Sequence, residues 1–148
     1  LMFIGGSPGS TAGGIKTTTA ALLVMTVISS IKGKDDTEVF RKRVSKEVVY
    51  RALVVSVVGL LLVITVTMIL SVTEKGFSFE YLLYETTSAF GTVGLTLGLT
   101  PKLTSIGKIL LAFTMYAGRV GPLTLLLAIA NRRGKDMIKY PEEKILVG

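Results

Sequence analysis

Ser88-Ala89-Phe90-Gly91-Thr92-Val93-Gly94-Leu95-Thr96 lies between two long apolar segments and follows a short amphipathic one. Thr-Val-Gly is the core of a cation selectivity filter, in which backbone carbonyls replace an ion's water shell. A glycine in such a loop lets successive carbonyls aim at one axis without strain. Three residues alone are a weak motif, and an outer surface loop could use the same glycines to turn. Their placement between spans favours carbonyl coordination of a dehydrated monovalent cation by Thr92, Val93, Gly94 and Leu95.

The segment before this loop is too short to cross a bilayer. Ser78 is in N-cap position, and Phe79, Leu82, Leu83, Thr86 and Thr87 recur at helical spacing. The stretch 78–90 would be ~20 Å long as a helix, against ~30 Å of hydrocarbon. After it come Gly91, Gly94, Gly98 and Pro101. The expectation is a pore helix that enters the membrane and a filter that leads back out. Non-helical backbone at that depth is tolerated only inside protein or along a water-filled path. Glu85, on the pore helix, is expected to support the filter by hydrogen-bonding its backbone.

Composition agrees with a membrane protein. Of 148 residues 49% are hydrophobic and 18% charged, and mean hydropathy is +0.62. Val48 to Val72 carries one charge, Arg51, and Leu103 to Ala130 is broken only by Lys108 and Arg119. Thr17 to Ile31 is a third apolar run, short for a span, so earlier residues must complete its crossing. Without cysteine or histidine there is no disulfide, thiolate nucleophile, Cys/His metal site or histidine proton relay. No metal beyond the permeating cation is expected.

The net charge is +7. Basic residues crowd 32–51 and 131–148, while 73–104 has Lys75 and Lys102 against three acids. The positive-inside rule puts 32–47 and the C-terminus in the cytoplasm and 73–104 outside. The basic stretches flank spans and lack interleaved aromatics, so nucleic acid is not an expected partner. Leu1-Met2-Phe3-Ile4 is apolar without a charged region or cleavage site, which reads as the end of an outer half-helix in a longer chain.

Gly5 to Gly14 (GGSPGSTAGG) holds five glycines and Pro8, a composition that makes regular helix costly. A flexible break inside a spanning helix is the preferred reading, with Gly5, Gly6, Gly9, Ser10, Thr11, Gly13, Gly14 and Lys16 as gating residues. An ordinary outer loop is the plainer one. A phosphate-binding loop is a third, but Ile15 displaces Lys16 by one place from the required spacing and no strand signal accompanies it. Arg119, flanked by Gly118, Gly121 and Pro122, stands inside the last apolar run, where a kink is expected. A guanidinium there needs an interior partner or cavity. It either pairs with carbonyls or Glu85, or sets an electrostatic barrier beside the ion path. Lys108 is expected to snorkel outward, and Gly59 to mark close helix packing.

The chain thus reads as an all-α integral membrane protein: a glycine-broken transmembrane helix over 1–31 with its loop at 5–16, a cytoplasmic connection at 32–46, a complete helix–pore helix–filter–helix repeat over 47–133, and a cytoplasmic tail at 134–148. Three motifs in this order resemble the Trk/Ktr/HKT superfamily of potassium transporters, nearest the bacterial KtrB type. They are Gly5 to Lys16, Ser88 to Thr96, and Tyr116-Ala117-Gly118-Arg119-Val120-Gly121-Pro122.

The resemblance implies potassium uptake, often sodium-dependent, with K+ and Na+ as transported ions. It implies four repeats around one pore, of which the missing ones belong to the same parent chain. It also implies a bacterial cell-membrane homodimer resting on a cytosolic nucleotide-binding regulatory ring of the KtrA/TrkA type, with no nucleotide bound by this chain. Residues 5–16 would match an intramembrane gating loop, Gly94 the filter glycine, and Arg119 an arginine below the filter. A tetrameric potassium channel subunit remains an alternative, as does a membrane-anchored P-loop ATPase. The preferred reading is not an enzyme.

Overall fold

The computed structural model describes residues 2–7, 9–33, 38, 39 and 42–121. Its helices are α1 (Thr17–Ile31), α2 (Lys46–Thr73), α3 (Phe79–Gly91) and α4 (Ser105–Val120), with a 3-10 turn at Thr100–Lys102. Strands β1 (Glu38–Val39) and β2 (Lys42–Arg43) pair antiparallel, Val39 opposite Lys42. Among the described residues the regular elements are otherwise helical, apart from an isolated bridge between Ile4 and Ile15. The expected tail at 134–148 and Pro122 lie outside the described residues.

Among the described residues α2 alone is long and apolar enough to cross a bilayer. Its 28 residues extend ~42 Å. It is apolar on every side, as a span requires. One stripe of it is buried in protein: Ala52, Gly59, Val63, Val66, Thr67 and Leu70. The other faces, including Leu61, Ile64, Met68 and Val72, are exposed.

Short α3 and α4 pack on that stripe, side by side and opposite in direction to α2. One core joins Val66 and Leu70 of α2, Leu82 and Ala89 of α3, Leu111 of α4, and Leu99 and Leu103 of the loop between them. A second joins Val63, Phe90 and Ile15, with Phe3 stacked on Phe90 at 5.3 Å between ring centroids. Thr67 and Thr86 hydroxyls meet at 2.6 Å inside the α2–α3 contact. Gly59 packs as expected. A Cβ there would lie 2.8 Å from Phe90 Cζ.

Three boundaries differ from the sequence reading. Residues 2–4 are not helical: Ile4 forms a parallel bridge with Ile15 instead. Gly91 is the last residue of α3 rather than the first of the loop. Beyond Arg119, α4 closes at Gly121, whose φ 88°, ψ 135° leaves the helical region, and the far side of the expected kink lies outside the described residues. Arg119 therefore stands in the last turn of α4.

Glu74 was not singled out by the sequence, yet it anchors the start of α4. It is 4% exposed. Both its oxygens accept from Thr104 N, at 3.3 and 3.2 Å, and Thr104 Oγ1 also donates to it. Thr104 is the N-cap of α4 and accepts from Gly107 N at 3.2 Å. The carboxylate thus sits at the positive end of a helix. Thr104→Ala removes the cap and a donor to a buried acid. It is expected to destabilise the protein by about 1–2 kcal/mol, seen as a lower unfolding midpoint in detergent at unchanged helix content.

Candidate functional site

The site begins where α3 stops. Thr92 caps the helix in the left-handed region, at φ 51°. Its N–H donates to Ala89 O and that of Val93 to Ser88 O, both at 3.0 Å. These bonds satisfy the last carbonyls of the helix, usually with glycine at the left-handed position. A β-branched residue there is a true outlier, and the surroundings hold it: Gly13 N donates to Thr92 Oγ1 at 2.8 Å.

From Val93 to Gly98 the chain is exposed, then Leu99 plugs it back into the core. Gly94 has φ 79°, and a Cβ on it would meet nothing within 4 Å. Its glycine requirement within this chain is therefore one of backbone angle, not of crowding.

Two buried side chains of α3 hold the returning strand. Ser88 Oγ donates to Leu95 O at 2.6 Å. Glu85 accepts from Thr96 Oγ1 and, at 3.0 Å, from Thr100 Oγ1. Gly98 N donates to Thr96 Oγ1 at 3.0 Å, and the Thr100 hydroxyl lies 3.0 Å from the same oxygen. Glu85 does hold this loop, but through hydroxyls rather than the backbone amides the sequence suggested. No cation lies within ion-pair distance of it among the described residues.

Residues 5–7 and 9–16 are non-helical and meet the end of α3 through Gly13. Gly5 N donates to Ile15 O at 2.7 Å, Ile15 N to Phe3 O and Thr17 N to Gly6 O, both at 3.2 Å. The loop thus leaves and rejoins the chain at one point. Lys16 Nζ closes it from within, donating to Ala12 O at 2.7 Å and Ser10 O at 3.4 Å. Gly9, Ser10 and Thr11 form its exposed tip, Gly9 at φ 86°. Gly6 packs on Ser10, whose hydroxyl accepts from Ala12 N at 3.3 Å.

Gly13 and Gly14 spend their amides on Thr92 Oγ1 and, at 3.2 Å, Gly118 O. A phosphate-binding loop needs such amides free. Here the amides of Gly5, Gly13, Gly14 and Ile15 are all used within the protein, and the lysine is turned onto the loop's own carbonyls.

Loop, α3 and α4 meet backbone to backbone. A Cβ on Gly118 would overlap the Phe90 carbonyl, one on Gly91 that of Met2, and one on Gly5 that of Gly13. This junction locks 5–16 against the base of the strand. Arg119 follows Gly118 but is exposed. With Thr92, Gly94, Met115 and Tyr116 it borders a cleft of about 270 Å³. Among the described residues nothing hydrogen-bonds its guanidinium. The expected pairing of Arg119 with carbonyls or Glu85 is not seen among the described residues, and it is the backbone of its neighbour Gly118 that meets the loop.

Reading residue types alone missed Ser88, Thr92 Oγ1, Thr96 and Thr100. The available signal was their density: five hydroxyl residues, Thr86, Thr87, Ser88, Thr92 and Thr96, within eleven positions of an apolar protein.

A model of the TrkH family, described as cation transport proteins, matches residues 1–139. The potassium/sodium uptake protein NtpJ of Enterococcus hirae is 47% identical over 153 residues, covering all of this chain and 34% of that protein. Ktr system potassium uptake protein B of Bacillus subtilis is 42% identical over all of this chain and 33% of its own length. Its counterpart from Vibrio alginolyticus is 40% identical, over all of this chain and 32% of its own length. The chain thus spans about a third of the length of these relatives. With its half-length helix, glycine-bearing strand and underlying glycine loop, it belongs to the TrkH family of cation transport proteins.

Proposed function

We propose that this chain provides one filter strand and the gate of a potassium uptake pore. The observation that carries this reading is the exposed strand Val93 to Gly98. It starts at the end of a helix too short to span a membrane, is fixed from behind by Ser88 and Glu85, and has Gly94 in a positive-φ conformation. One strand cannot enclose an ion. The remaining repeats of the parent chain complete the ring, as the length of the relatives suggests.

In this reading Thr92, Val93 and Gly94 turn carbonyls toward dehydrated K+. The 5–16 loop lies across the path below, and Arg119 holds a positive charge at the cleft between them. The bonds from Gly13 to Thr92 and from Gly14 to Gly118 keep the loop closed. Opening requires both to break. Residues 32–47 and the C-terminus face the cytoplasm of a bacterial cell, by their basic charge. Ktr-type kinship further suggests sodium-dependent uptake, a homodimer and a cytosolic nucleotide-binding ring.

The test is uptake by the full-length protein in a bacterium lacking its own potassium uptake systems. Growth at low K+ with K+ preferred over Na+ is the expected result. Failure to take up K+, in protein that reaches the membrane, would overturn the reading. Shortening the loop within 9–12, at its exposed tip, is expected to raise maximal flux severalfold by weakening the closed state. Flux that stays level or falls in normally inserted protein would remove the gate from these residues.

A further inference from the structure

We propose that Ser88, a residue outside the ion path, decides where the run of coordinating carbonyls on this strand ends. The proposal rests on the potassium uptake reading above. Ser88 is 3% exposed and stands one turn before the end of α3. The hydroxyls of its neighbours Thr86 and Thr87 donate back to the carbonyls of Leu82 and Leu83, at 2.8 and 2.7 Å. That is the ordinary choice for hydroxyls inside a helix. Ser88 departs from it and reaches across seven residues to Leu95 O at 2.6 Å.

The consequence is one of direction. The Leu95 side chain is 54% exposed, while its carbonyl is aimed at a buried hydroxyl on α3. Beyond Leu95 two hydroxyls likewise bond inward: Thr96 and Thr100 both donate to Glu85, which is 4% exposed. Thr92, Val93 and Gly94 precede this reversal. Leu95 had been counted among the coordinating residues from its position in the motif. Its hydrogen bond instead assigns it to the wall. Ion preference depends on the number and field strength of coordinating carbonyls, so the Ser88 hydroxyl is a positioning group for selectivity.

Two measurements test this in the full-length protein. The first is the preference for K+ over Na+ in uptake, normalised to protein in the membrane. Ser88→Ala is expected to lower it about fivefold, the change that loss of one hydrogen bond of ordinary net strength produces. Ser88→Thr, which keeps the hydroxyl, is expected to restore most of it.

The second is the infrared band of a 13C,18O-labelled carbonyl in the wild-type protein. The Gly94 band should shift when K+ is exchanged for Na+, and the Leu95 band should not. An unchanged preference in Ser88→Ala, or a Leu95 band as sensitive to the cation as that of Gly94, would overturn the role of Ser88. If Ser88→Ala does not reach the membrane, the wild-type infrared comparison decides alone. A wild-type protein that takes up no K+ would instead overturn the uptake reading on which this rests.

Discussion

Gly94→Ser is expected to lower the preference for K+ over Na+ about tenfold while leaving insertion and folding intact. Gly94 holds φ 79°, a left-handed conformation that costs an L-residue roughly 1–2 kcal/mol. A Cβ there would meet no atom within 4 Å, so the serine is not expelled by crowding within this chain. It pays instead by relaxing toward negative φ, which rotates the peptide planes on both sides. The carbonyls of Val93 and Gly94 then leave the axis. Because the penalty is local and on the exposed side of the strand, the cores around Leu82 and Phe90 are untouched. Competition uptake of K+ against Na+ checks it. A preserved preference would take Gly94 out of the filter.

Gly118→Ala is expected to be among the most damaging single-methyl additions in the described chain. Gly118 is helical, and in an isolated helix the exchange would stabilise by about 1 kcal/mol. Here the new Cβ would overlap the carbonyl of Phe90. Phe90 cannot retreat: it is fully buried, held by Gly59 on α2 and stacked on Phe3. Overpacking of a tight core costs about 1–3 kcal/mol, and backbone pressed on backbone has no rotamer through which to relax. The clash therefore wins over propensity. The expected result is a lower unfolding temperature in detergent and loss of the bond from Gly14 N to Gly118 O, which frees the loop. Gly98→Ala is the comparison. Its φ of 82° strains an alanine, but its Cβ enters open space, so the fold should survive it.

What the sequence made legible follows from patterns that repeat. The apolar run of α2, the half-length of α3 and the glycine density of 5–16 are each carried by many residues, and each is present at nearly the expected bounds. Junctions carried by one residue were harder to read. Gly91 looks like a helix breaker by propensity, but it closes α3 because the Met2 carbonyl occupies the space of its Cβ. That neighbour is distant in sequence. Gly121 departs from the helical region at positive φ, at the place where the sequence suggests a kink.

The site shows the same limit. Its backbone motif could be recognised, while its hydrogen bonds could not. Glu85 was expected to meet amides and meets hydroxyls eleven and fifteen residues away. Arg119 was expected to pair inside the protein or stand beside the ion path; the burial of Gly118 turns the arginine to the exposed side of α4, and it is Gly118 backbone that contacts the loop.

The central claim is that a dehydrated cation sits against the carbonyls of 92–94, above the 5–16 loop. Anomalous diffraction from crystals of the full-length protein soaked with Tl+, a K+ mimic, tests it directly. The account predicts a peak on the pore axis within coordinating distance of the Val93 and Gly94 carbonyls, with Leu95 O still bonded to Ser88. A peak lodged in the 5–16 loop, with none beside residues 92–94, would contradict it.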